Sequence, residues 1–171
     1  KIYSIDQTLD ADGEFTLQDK LEDPNAQDPT DSLQSDKMVG FDEATGAYLW
    51  QLSVPKLGAG KVSDWEFLGI CSSPAVEGNR VYVVANRCEV VCLDTEGLQN
   101  GNDGPYRDEG KYLAGPKKPP VELSDKDADI IWRFDMAEEL GVFPHNVTSS
   151  SVLILEDTVF ATTSNGVDWS H

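Results

Sequence analysis

Among side chains able to do chemistry, the cysteines come first. There are three, Cys71, Cys88 and Cys92. The last two share the run CEVVC, a spacing that on a strand puts both on one face about 13 Å apart, too far for a disulfide. Cys71 and Cys88 fall at the same end of one hairpin and are the better-placed pair, with free buried thiols as the alternative. No CxxC occurs, and the two histidines, His145 and His171, have no zinc-ligand spacing. Thr8-x-Asp10-x-Asp12-Gly13-x-Phe15 has the glycine and apolar offsets of a calcium loop. Thr at the first ligand position and Asp19 in place of a closing Glu make it an acidic turn instead. Ser72-Ser73 and Ser149–Ser151 lack the G-x-S-x-G setting of a hydrolase nucleophile. His145, after Phe143-Pro144, reads as a packed loop histidine, and Asn146-Val147-Thr148 is a glycosylation acceptor only in a eukaryotic secretory setting. No catalytic or metal-ligating residue is assigned.

The elements that would position such residues are strands. Ser72–Gly97 reads as strands near Ser73–Val76, Val81–Ala85 and Val90–Leu93, separated by Glu77-Gly78-Asn79 and Asn86-Arg87-Cys88 turns. A weaker copy runs from Ser150 to Gly166. Superposing Val81-Tyr82 on Val159-Phe160 without a gap brings Ser72-Ser73 onto Ser150-Ser151 and Asn79 onto Asp157, and a recurring strand–turn–strand unit marks a repeat architecture. VYVVA, VVCL, SVLIL and DIIWRF are apolar on both sides. Antiparallel strands of that kind need a sheet above and another below, whereas a two-layer sandwich would leave alternate residues polar. A single short helix is expected at Asp135–Leu140, with Asp135 as cap, Glu138 at the capping-box position and Gly141 as the stop.

The 171 residues carry a net charge of −18. A chain so acidic repels nucleic acid and anionic membranes. No window approaches the ~18 apolar residues of a membrane span. Residues 1–36 are rich in Asp, Gln, Pro and Ser and poor in apolar positions, so an acidic loop-rich or disordered segment is expected, with a short strand at 2–6. The chain opens on Lys1 without a signal peptide, which suggests processing or truncation.

Gly40-Phe41-Asp42-Glu43-Ala44-Thr45-Gly46-Ala47-Tyr48-Leu49-Trp50 then reads as strand, tight turn and strand. Gly46 supplies backbone freedom, and the Asp42 and Thr45 side chains can close the turn locally. This stretch resembles the tryptophan-docking repeat of the pyrroloquinoline-quinone (PQQ)-like β-propellers, Ala-x-Asp-x-x-Thr-Gly-x-x-x-Trp. Asp42, Thr45, Gly46 and Trp50 match at the right spacing, and Gly40 departs by one methyl. A degraded copy has Cys92 at the Ala position, then Asp94 and Gly97, with its tryptophan, Trp132, displaced by an insertion over 98–127. The resemblance covers about residues 37–166 and is nearest to bacterial PQQ-like repeat proteins.

The resemblance implies an all-β fold: a partial β-propeller of four-stranded antiparallel blades with long loop insertions, a fragment of a larger ring of as many as eight blades. Residues 37–171 would hold two to two and a half blades. Cys71–Val76 and Ser150–Leu155 would be innermost strands, Val81–Ala85 and Thr158–Thr163 second, Lys37–Asp42 and Glu89–Asp94 third, Tyr48–Leu52 and Ile130–Phe134 outer. Trp50 and Trp132 would wedge between neighbouring blades. Loops on one shared face would bring Asp64, Trp65, Glu66, Asn86, Arg87, His145, Asn146, Asn165, Asp168 and Trp169 toward the channel mouth, with the 98–127 insertion on the other face. Those carboxylates, amides and a tryptophan are what PQQ and Ca²⁺ would need, yet no adjacent cysteine pair exists and no family catalytic Asp or calcium ligand can be matched. The expectation is a non-catalytic scaffold for binding or assembly, periplasmic or extracellular, whose partners are the remaining propeller blades. The alternatives are part of a PQQ- and calcium-dependent alcohol or sugar dehydrogenase, or a polysaccharide- or protein-binding module.

Overall fold

Ser35–Phe41 (β1) and Tyr48–Pro55 (β2) pair antiparallel across the Asp42–Ala47 turn. The computed structural model describes residues 35–56, 69–142, 144 and 148–163. The strand read at 2–6, the acidic turn at Thr8–Asp19, and Asp64, Trp65, Glu66, His145, Asn146, Asn165, Asp168 and Trp169 lie outside the described residues. Ala75–Glu77 (β3), Arg80–Ala85 (β4), Glu89–Asp94 (β5) and Ile130–Asp135 (β6) build one four-stranded antiparallel sheet in that order. Leu153–Leu155 (β7) and Thr158–Phe160 (β8) form a further antiparallel pair. The architecture is the all-β, antiparallel one that the strand pattern implies.

The repeat is visible in hydrogen bonds as well as in sequence. Ser72 Oγ donates to Val84 O (2.6 Å) and accepts from Val84 N–H (3.1 Å). Ser150 Oγ, at the same offset, accepts from Thr162 N–H (3.2 Å) and meets Thr162 Oγ1 at 2.7 Å. Each serine side chain thus extends a ladder that its own backbone has left. In the β1–β2 pair Gly40 faces Trp50 and the register shifts at Gly40/Phe41. In the β5–β6 pair Cys92 faces Trp132 and the register shifts at Cys92/Leu93. The two strand pairs are therefore equivalent position by position.

β5 is buried at all six positions, because side chains alternate between two covered faces. On one face Val81, Val83, Ala85, Val91, Leu93 and Ile130 pack with Trp50, Leu52 and Val54 of β2, together with Tyr112 and Ala128. On the other, Val84, Cys88, Val90 and Met136 pack with Trp132, Ala137, Val142 and Val152. Met136–Leu140 (α2) starts where expected: the Asp135 carboxylate accepts the Glu138 N–H at 3.0 Å, and Gly141 ends the helix at φ 64°.

Four expectations need correction. The 98–127 insertion is not loop alone, since it carries a 3₁₀ turn at Gly97–Asn100 and a helix, Glu109–Ala114 (α1). Nor does it stay at the far end of the sheet: Tyr112 reaches back to Glu89 at the first residue of β5. SVLIL is not buried on both sides; Leu153, Leu155 and Phe160 are 65%, 60% and 50% exposed, because among the described residues no second sheet covers them. Finally, Cys71 and Cys88 are not joined. All three cysteines are free, Cys71 being exposed beside Gly69 and Cys88 buried in the second apolar cluster, so their side chains belong to different environments.

Candidate functional site

The Asp42–Trp50 segment is built by its own side chains. Asp42 Oδ1 accepts the Thr45 N–H (2.8 Å) and the Thr45 hydroxyl (2.5 Å), and Thr45 Oγ1 accepts the Ala47 N–H (3.2 Å). Those two donations from Thr45 hold the Asp42 carboxyl below its ordinary pKa. Gly46, at φ 70°, closes the turn by donating its N–H to Asp42 O (2.8 Å). The strand that follows delivers Trp50, 3% exposed, to the four-stranded sheet, where its indole N–H donates to Thr95 O at 2.8 Å. Gly97 lies beneath the ring. A Cβ there would sit 2.7 Å from Trp50 Cγ and 2.9 Å from Asp127 O, and φ is +60°, so glycine is required by space and by backbone. Asp94 repeats the role of Asp42, its Oδ1 accepting the Glu96 N–H and its Oδ2 receiving Arg80 Nη1, both at 2.8 Å. Trp132, by contrast, is half-buried on an open groove, its ring tilted at 52° to that of Tyr82 with centroids 6.1 Å apart.

At the other end of the sheet, around the β4–β5 turn, lies a polar cluster. The side chain of Glu89 is wholly buried; Arg133 Nη1 donates to Oε1 at 2.6 Å and the Tyr112 hydroxyl to Oε2 at 2.8 Å, with Arg87 Nε 3.8 Å from Oε1. Both guanidinium groups also lie over the Tyr112 ring, at 5.5 Å for Arg87 and 5.9 Å for Arg133. Burial pushes the Glu89 carboxyl above its ordinary pKa, and Arg87, Tyr112 and Arg133 pull it back only in part. Burial would lower Arg133, but the Glu89 carboxylate holds it above its usual value, since this guanidinium keeps some contact with water. Burial, reinforced by the Glu89 charge, keeps Tyr112 protonated and donating. Cys92, on the opposite face, is pushed up to about 11 by burial and is a poor nucleophile.

Of the residues the sequence directs to the channel mouth, the structure describes Asn86 and Arg87. Asn86 is buried, and Arg87 turns onto Glu89 and Tyr112 instead of outward. Glu89, Tyr112 and Arg133 form the cluster without having been singled out beforehand. A Glu at the head of an otherwise apolar strand, with an Arg on the neighbouring strand, is the signal that could have found two of them, Arg133 standing opposite Val91 on the same face as Glu89; Tyr112 joins from an insertion with no periodicity to read. Among the described residues no group of three or more His, Cys, Asp or Glu is arranged to hold a metal ion.

No curated protein and no solved structure matches the chain. A family model described as outer membrane protein assembly factor BamB, of PQQ-like repeat type, matches residues 30–111, a little under half of the sequence. That stretch contains β1 to β5, the Asp42–Trp50 turn and strand, and the Thr95–Gly97 surface on which Trp50 rests. Residues 30–111 are therefore similar to the PQQ-like repeat family, and the described residues form the all-β, antiparallel sheets that such a repeat implies.

Proposed function

We propose that this segment is a rigid propeller scaffold for protein binding or assembly in an exported protein, with Trp50 as the residue that docks one blade on the next. One observation carries the reading: the polar groups gathered at the β4–β5 turn are bonded to one another. Both oxygens of Glu89 are taken, by Arg133 and Tyr112, and Arg87 is stacked on the same ring. Such a closed network fixes the insertion to the sheet and makes the blade stiff. The family description, which names an assembly factor of the outer membrane, supports the protein-binding role and the export. No helix among the described residues is long and apolar enough to cross a membrane.

Titrating the chain with PQQ and Ca²⁺ while following quinone absorbance tests the reading. The scaffold predicts an unchanged spectrum and no dye reduction with simple alcohols or sugars. Saturable uptake of the quinone that Arg87→Ala weakens would replace the scaffold with a cofactor site.

A further inference from the structure

The 98–127 insertion builds a second polar cluster, at the end of the sheet opposite Glu89. Asp129 stands there, immediately before β6. Its backbone oxygen accepts the Asp94 N–H at the end of β5 (3.0 Å), and its Oδ2 accepts the Asp103 N–H (2.9 Å). The insertion comes this close to β6 at a glycine, since a Cβ on Gly104 would sit 2.5 Å from Ile131 Cα. From there the chain runs on to Glu109 in α1. Arg107 folds back inside this loop, its Nη1 donating to both the backbone oxygen and the Oδ1 of Asn102.

Glu109 and Asp129 are wholly buried, and neither Glu109 oxygen nor Asp129 Oδ1 has a hydrogen-bond partner. Glu89 is buried to the same degree with both oxygens taken. Burial raises the Glu109 carboxyl above its ordinary pKa, and the Asp129 charge beside it adds to the rise. Burial likewise raises Asp129, with Asp94 and Asp103 contributing like charge, and Arg107 offsets the rise at both groups only in part. Buried carboxylate oxygens without donors are costly, and in native proteins such orphans mark a bound ion or water.

We propose that Glu109 and Asp129 bind a calcium ion that ties the insertion to the start of β6. A shared proton would satisfy one of the three orphaned oxygens with another, whereas a cation with several oxygen ligands takes all three. Ca²⁺ accepts about six to eight oxygens in adaptable geometry, while Mg²⁺ demands a near-ideal octahedron and holds on to its waters. Among the described residues no third acidic side chain completes such a group, so neutral oxygens and water must fill the shell. Asn102 O and Oδ1 lie in the same loop, and each accepts one hydrogen bond from Arg107 and keeps a second lone pair. With two acidic ligands the site belongs to the weak class found in extracellular modules, with Kd about 10⁻⁴–10⁻³ M. It lies away from the β4–β5 turn and is independent of the scaffold reading.

Melting of the full chain, stripped with a chelator and then given ~10 mM Ca²⁺ or ~10 mM Mg²⁺, is the test. Calcium should raise the melting temperature by about 5 °C, and magnesium by much less. Magnesium also controls for plain screening of the −18 charge. Glu109→Gln and Asp129→Asn keep the shape of each side chain and remove a buried charge, so both should melt no lower than the parent in chelator and lose the calcium response. Calorimetry on the parent should show one Ca²⁺ whose binding either substitution abolishes. No calcium-specific rise, or a rise that survives both substitutions, overturns the proposal. A parent indifferent to calcium that Glu109→Gln stabilises would replace the ion with a proton shared by the two carboxyls.

Discussion

The two faces of the central sheet carry the same repeat and end differently. On the β2 side Trp50 is buried, its N–H satisfied by Thr95 and its ring seated on Gly97. On the β8 side Trp132, at the equivalent register position, lines an open groove with Phe134 and Val159. The tryptophan itself is the same in both places. What differs is the turn presented to it: Thr95–Gly97 faces Trp50, and no equivalent turn faces Trp132 among the described residues. A docking tryptophan therefore stabilises only as half of a two-part lock, the other half being a glycine turn with a free carbonyl on the neighbouring sheet.

The sharpest way to break this comparison is to truncate both indoles. Trp50→Ala should cost about 3–5 kcal/mol, as for a buried aromatic with a satisfied donor. Next in size is Glu89→Ala, on the filled side, which opens a cavity and leaves the buried Tyr112 hydroxyl and Arg133 without their shared acceptor, and should cost about 3 kcal/mol. Its pH signature is as useful as its size. Burial raises the Glu89 pKa above 4.5, so the folded state holds the proton longer than the unfolded chain does, and stability falls as pH rises through that window. Melting followed from pH 4.5 upward should show this decline in the parent chain and a shallower one in Glu89→Ala. Tyr112→Phe, which frees one Glu89 oxygen and loosens the insertion, should cost about 2 kcal/mol by denaturant titration. Trp132→Ala in the single chain should cost least of these, about 1–2 kcal/mol, because its ring is covered on one side only and borders an open groove. Equal losses for Trp50→Ala and Trp132→Ala would erase the distinction between the faces. Thiol labelling refines it: Cys88 and Cys92 lie beneath the open face yet are buried, with pKa values raised by burial, so Cys71 alone should react with a disulfide reagent before unfolding.

Much of the fold was legible because local chemistry and packing agree. Glu89–Asp94 reads as a strand from its unbroken apolar run, and Asp135, Glu138 and Gly141 bracket a helix by capping alone. Asp42, Thr45 and Gly46 announce their turn through hydrogen bonds that span only a few residues. The helix at Glu109–Ala114 could not be read in the same way. It has six residues, a glycine inside and no side-chain cap; tertiary contacts hold it, chiefly Tyr112 to Glu89 across a long stretch of chain. Apolarity on both sides of SVLIL shows that cover is needed and says nothing of where the cover comes from. The Glu89 cluster was hidden for a related reason: its members come from two strands, a turn and an insertion, and only the folded register brings them together.

The most direct measurement is hydrogen exchange at the Trp50 indole N–H, followed by NMR with the resonance identified through Trp50→Phe. An indole donating to Thr95 O and packed on Gly97 should exchange at least about 100-fold more slowly than free tryptophan, within reach of the β5 amides. Exchange at the free-indole rate would contradict the docking of β2 on the four-stranded sheet.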